Sequence, residues 1–269
     1  PRLPRIAVFG DDLRDALRGG WGDSTEPGFV SGKSGLDRNV RFGVVGATAH
    51  FQVGFDSSGD SPVAYGGHSA ETINYVSCHD DLSLVDKLRA SAPEGMTEEE
   101  LVRFDKLAQT VVLTAQGIPS LFAGEEMLRT KGGVSNSHDS PDRVNRIDWS
   151  FKADHKDVFD YYRGLIALRR THPAFRLATA AEIERHLRFL DTGDTHVVAY
   201  RLVDHAGGDP WREILVVYNG ARAEKRVRIP PGDWHAVCLD GRIASEALAV
   251  FSGDSVPVPA SSALIAYLP

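Results

Sequence analysis

Three short apolar runs in the first half of the chain each stop at a cluster of polar residues, and this repetition limits the fold more than any other feature. Arg5 to Phe9 ends at Gly10-Asp11-Asp12, Thr72 to Cys78 at His79-Asp80-Asp81, and Ile118 to Ala123 at Gly124-Glu125-Glu126. Leu13, Ala16 and Leu17 give helical spacing after the first run. A longer helix is predicted from Thr97, where Glu100 completes a capping box, through Leu101, Phe104, Leu107, Val111 and Leu113 to Gln116-Gly117. A last helix over 156–170 sets Val158, Tyr162, Leu165 and Leu168 along one face. Between these elements Trp21 to Gly35 reads as loop, Val40 to Ala49 as a helical turn and Phe51 to Ala70 as irregular. Strands that end in polar residues and pass into helices make parallel β/α units, so the expected class is α/β. A (β/α)8 barrel sets its active site at the carboxyl ends of its strands, where these clusters fall, but needs eight strands and about 250 residues. Three strands are part of a barrel.

After Pro173 the pattern changes. Short strand-like runs at His196–Val203, Glu213–Asn219, Lys225–Ile229, Trp234–Cys238 and Ala263–Leu268 alternate with Gly, Pro and Asp, as in an antiparallel sandwich. Two domains are expected: 1–176, the barrel part, and 177–269, an all-β antiparallel sandwich. The formal net charge is −7 over 269 residues, with no sustained Lys/Arg block. That disfavours nucleic acid and anionic membrane as partners, since both require a positive surface. Cys78 and Cys238, the two cysteines, are too few for a disulfide framework or a zinc site built on Cys pairs. No apolar run approaches the ~20 residues of a membrane span. The start, Pro1-Arg2-Leu3-Pro4, has neither Met nor a signal-type segment and reads as a cut through a longer polypeptide. Localisation, cytoplasmic or secreted, is left open.

Asn74-Tyr75-Val76-Ser77-Cys78-His79-Asp80-Asp81, followed by Ser83-Leu84-Val85-Asp86-Lys87-Leu88, resembles the strand-seven motif of the α-amylase superfamily in its pullulanase version. Gln116-Gly117-Ile118-Pro119 through Gly124-Glu125-Glu126 is similar to strand eight of that family. Leu128 to Lys131, Asn136 to Asp142 and Asn145 to Trp149 resemble the loop beyond it, and Ile6 to Ala16 its strand-six region. The resemblance runs in order from about residue 5 to 175 and implies about strands six to eight of a type I pullulanase barrel, its carboxy-terminal half. The remainder suits the family's carboxy-terminal β-domain by pattern.

The activity implied is retaining hydrolysis of α-1,6-glucosidic bonds in pullulan, amylopectin or limit dextrin. Retaining glycosidases use two carboxyl groups about 5–5.5 Å apart, and a further fixed carboxylate can stabilise the oxocarbenium-like transition state. The resemblance makes Asp80 that stabiliser and His79 a ligand of the same sugar. Asp81 stands where the family has Asn and is grouped with the sugar ligands, and Asp142 and Arg146 match positions that hold the next sugar. A carboxylate and a guanidinium can each grip vicinal hydroxyls through several hydrogen bonds. Glu125 and Glu126 match a structural site. No segment resembles the strands that carry nucleophile and acid/base, so these are expected from an amino-terminal half of the same enzyme. The resemblance implies no cofactor or metal here and leaves calcium open for a full-length protein. Departures at Asp81, at Val85 for a usual Trp and at His138 for a usual Tyr bear on substrate preference. Other readings are an isoamylase or glycogen-debranching relative, a His-Asp metal-dependent phosphohydrolase, and a non-catalytic sugar-binding module resting on the β-rich end.

Overall fold

The computed structural model describes residues 6–54 and 63–269. Pro1 to Arg5, expected as the start of the chain and of its first strand, and residues 55–62 of the irregular stretch lie outside them. Three strands, β1 (Val8–Phe9), β2 (Thr72–Asn74) and β3 (Ile118–Pro119), form a parallel sheet in the order β1-β2-β3. Phe9 faces Ile73 across one pair, and Asn74 faces Pro119 across the other. The paired segments are shorter than the apolar runs predicted, because the chain leaves the sheet at Tyr75 and at Ser120 to build the turns beyond.

Helix α1 (Asp11–Arg18) follows β1 directly, and α2 (Asp37–Val44) replaces the single turn expected there. The loop between them holds a short 3-10 turn at Phe29–Ser31. Helix α3 (Leu84–Ala90) was not foreseen; the Ser83 side chain caps it by accepting from the Asp86 amide. Helix α4 (Glu98–Thr114) has the expected capping box, with Thr97 Oγ1 accepting from Glu100 N and Glu100 returning the bond to Thr97 N. Its carboxyl end is closed by Arg169, whose guanidinium donates to the carbonyls of Leu113, Ala115 and Gly117. Arg169 lies on α7 (Lys156–Thr171), which is preceded by the short α5 (Asp142–Asn145) and α6 (Phe151–Asp154).

Helix α8 (Ala180–His186) leads into an antiparallel sheet. Its strands are β4 (Leu187–Leu190), β5 (Val197–Leu202), β6 (Glu213–Asn219), β8 (Asp233–Leu239), β10 (Ala249–Ser252) and β12 (Ser262–Leu268), in the order β10-β8-β12-β6-β5-β4, with β9 (Arg242–Ile243) on β8. A separate pair, β7 (Lys225–Arg228) with β11 (Ser255–Val258), lies across one face. Both faces of the large sheet are buried at its centre, in β6 and β12. Leu215, Val217, Leu264 and Ala266 pack toward β7 and β11, while Ile214, Val216, Tyr218 and Ile265 join the core that contains α4 and α7. This explains the near-continuous apolar runs of β6 and β12, since a strand covered on both sides loses its polar alternation. The helical part and the sheet therefore share one core, stitched by polar contacts such as Thr114 Oγ1 to Tyr218 Oη at 2.5 Å.

Candidate active site

The polar clusters after β1 and β2 meet at one cleft. Gly10 lets the chain turn tightly: a Cβ there would sit 3.2 Å from the Ile73 carbonyl. Asp11 then accepts from Tyr75 Oη at 2.6 Å, and the buried Arg14 reaches Asp11, Asp15 and the same phenol at 3.1, 2.7 and 2.5 Å. Phe9 stands edge-on to Tyr75, and Arg14 lies 5.0 Å from the Trp21 ring centroid. With His79 and Asp80 these groups line a cleft of about 750 Å³.

His79 and Asp80 are both open to solvent, and His79 Nε2 lies 3.4 Å from Asp80 Oδ1. Asp80 thus presents a carboxylate at a strand end with an imidazole beside it. Cys78, His79 and Asp80 bring one ligand-type atom each within 4.8 Å of one another, on an exposed turn.

Asp81, grouped above with the sugar ligands, points elsewhere. A backbone φ of 58° turns its side chain inward, where 8% of the residue remains exposed. Asp and Asn adopt this left-handed region more readily than other side chains. Its carboxylate accepts from Arg18 at 2.9 Å and from Ser135 Oγ at 3.1 Å, and Arg18 also donates to the Leu82 carbonyl. Asp81 does not line the cleft. It braces the turn rather than offering a free ligand oxygen.

Asp142 and Arg146 bracket α5, linked by the Arg146 N–H to Asp142 carbonyl bond at 2.7 Å, and both side chains are exposed. They are outside the lining of the cleft that holds His79 and Asp80. Their loop is tethered: Asn145 donates to Ser137 and Ser140 carbonyls, and Arg129 ties Asn145 to Ala123.

Glu125 is an interior residue. It accepts from Ser77, Gln109 and the Phe122 amide, and Glu126 accepts from the Gly124 amide. Burial pushes the Glu125 carboxyl up to about 8 against the bond from Ser77, and Asp105 adds to the rise. Burial likewise pushes Asp105 up to about 7 against its bond from Tyr162. A carboxyl whose pKa is raised on folding binds its proton more tightly in the folded state. Stability is then fully present below the unfolded pKa of about 4 and is lost as pH rises through the folded value. Glu125→Gln is expected to flatten the loss of stability between pH 5 and pH 9. Urea midpoints at the two pH values measure it, and an equal decline in both proteins would refute it.

A family model described as "Pullulanase, all-beta domain" matches residues 183–242. The pullulanase of Bacillus subtilis (strain 168) is 35% identical over 86% of this chain and 30% of its own length. The solved pullulanase from Bacillus acidopullulyticus superposes with a TM-score of 0.88 at 41% identity, covering 97% of this chain and 30% of that one.

The chain belongs to the pullulanase family.

The pullulanase of Paenibacillus barengoltzii, solved in complex with maltohexaose and α-cyclodextrin, has a TM-score of 0.85 at 40% identity over 99% of this chain and 39% of its own. This chain therefore spans less than half the length of the pullulanases it matches. Asp86, Lys87 and Lys131 went without a role in the sequence reading. Asp86 accepts from Ser83, Thr130 and the Lys131 amide, and Lys87 donates to the carbonyls of Gly20 and Asp23. Adjacent charges on α3 thereby hold the Gly20–Asp23 loop, which contributes to the cleft, and the Thr130–Lys131 loop beyond β3. Their presence in an otherwise apolar helix start was the available signal.

Proposed function

We propose that these residues supply part of the active site of an enzyme that hydrolyses α-1,6-glucosidic bonds in pullulan, amylopectin or limit dextrin with retention. In this reading β1 to β3 are strands six to eight of a (β/α)8 barrel, 1–176 is the end of the catalytic domain, and 177–269 is a β-sandwich domain. Asp80 stabilises the positive charge that develops on the sugar, and His79 binds that sugar. Asp142 and Arg146 hold the neighbouring unit, and Asp81 keeps the turn in place. The observation that carries the reading is the exposed His79–Asp80 pair at the strand-end cleft. The maltohexaose and α-cyclodextrin in the Paenibacillus barengoltzii structure support an α-glucan as ligand.

The nucleophile and acid/base are assigned to polypeptide outside these residues, because no carboxylate here matches the family's positions for them. Purified chain is expected to release no reducing sugar from pullulan above a protein-free blank. The same chain joined to the preceding segment of a pullulanase is expected to do so. Turnover by the chain alone, or none by the joined protein once folded, overturns the assignment.

A further inference from the structure

Lys131 is nearly inaccessible, with 2% of its surface exposed, and lies in the loop beyond β3. Its ammonium donates to the carbonyls of His79 at 3.2 Å, Ser135 at 3.0 Å and Asp81. Two of these acceptors flank Asp80 in the chain, and the third belongs to the loop whose hydroxyl bonds the Asp81 carboxylate. Lys131 is itself held from the other side. Its amide donates to Asp86 at 2.7 Å, as does the neighbouring Thr130 hydroxyl. Gly132 and Gly133, with φ of 65° and 78°, turn the chain back so that Ser135 reaches the same ammonium. The turn after β2 and the loop after β3 meet at the Lys131 ammonium, and the start of α3 holds the Lys131 backbone.

Three carbonyls aimed at one buried ammonium form a cage that a flexible side chain would not hold by chance, since each bond costs side-chain freedom. The carbonyls also gain, because a turn with φ above zero at Asp81 leaves its backbone oxygens without ladder partners. The cage holds the His79–Asp80 peptide on one side of Asp80 and the Asp81–Leu82 peptide on the other, while the Asp80 carboxylate stays exposed at the cleft. A transition-state stabiliser needs that fixity, as a carboxylate that must reorganise during the reaction forfeits much of its electrostatic advantage.

We infer that Lys131 is a positioning residue: by caging the His79 and Asp81 carbonyls it sets the orientation of Asp80 and His79 toward bound sugar. This rests on the glucan-binding function proposed above. The test uses the full chain and maltotriose as probe, followed by NMR at the His79 ring, together with amide hydrogen exchange. Arg169→Met is the control, because Arg169 makes a similar three-carbonyl clamp at the end of α4, away from the cleft. Lys131→Met is expected to weaken maltotriose binding tenfold or more and to speed exchange at the Asp80 to Leu82 amides, with α4 protection kept. Lys131→Arg should recover binding to within about threefold, since a guanidinium can donate to several carbonyls. Arg169→Met is expected to lose protection in α4 with unchanged affinity.

Wild-type affinity and unchanged exchange at the turn in Lys131→Met would overturn the positioning role and leave the glucan site standing. A parallel loss of affinity and of α4 protection would assign Lys131 a general structural role and overturn the inference too. If maltotriose shifts nothing at His79 in the wild-type chain, the functional reading falls and the positioning role with it.

Discussion

Asp80→Asn lowers kcat on pullulan by about a hundredfold or more, with KM changed only a few-fold, in the protein that joins this chain to a nucleophile-bearing segment. The structure leaves the Asp80 carboxylate exposed at the cleft, with His79 3.4 Å away. A carboxylate facing an oxocarbenium-like centre interacts more strongly with the transition state than with neutral bound sugar, so its loss falls on kcat. Removing an electrostatic partner of this kind typically costs on the order of 3 kcal/mol. Asp142→Ala behaves differently. Its exposed carboxylate would meet the neighbouring sugar already in the ground state, so the loss appears mainly as a higher KM. Steady-state kinetics on pullulan separates the two. A near-normal kcat for Asp80→Asn would remove the stabiliser from this residue and with it the core of the functional assignment.

The sequence showed where strands end better than how far they pair. Each apolar run stops at polar residues that do stand beyond a parallel strand, and the His79–Asp80 pair falls at such an end. The α4 capping box was readable because Thr97 and Glu100 directly precede an apolar helical stripe. An equivalent box at Thr179 and Glu182 starts α8 but went unread, as it sits where the pattern turns to short strands. Strands β4, β9, β10 and β11, each of four residues or fewer, were missed, whereas β7 is as short but was marked by the Pro230-Pro231-Gly232 turn signal after it. Tyr200 and Tyr218 of the sheet reach across to Thr114 of α4, contacts between distant segments that no local pattern announces.

The site divided along similar lines. Residue types that act at an exposed strand end were visible in the chain, but the residues that hold them were not. His79 and Asp80 can be read from a local motif, whereas Lys131 acquires a role only when the loop beyond β3 folds back onto that motif. Asp80 and Asp81 are the same residue type side by side. A φ of 58° and the buried Arg18 tell them apart, and neither can be seen before the tertiary structure forms.

That difference has an energetic consequence. The Arg18 side chain is 1% exposed and its Asp81 partner 11%, so the pair is almost wholly withdrawn from water. Taking one partner from a buried pair strands the other charge and typically costs about 3–5 kcal/mol, whereas removing both charges together can be nearly neutral. Arg18→Met should therefore destabilise by that amount, because Asp81 would keep only the Ser135 hydroxyl at its carboxylate. Asp81→Asn leaves the Arg18 charge with a neutral acceptor and costs about 1–3 kcal/mol. Arg18→Met with Asp81→Asn should cost about 1–3 kcal/mol less than the two single losses added together, which is the coupling energy between the two positions. Urea denaturation of the four proteins closes the cycle. Strict additivity would mean that the two charges do not support one another.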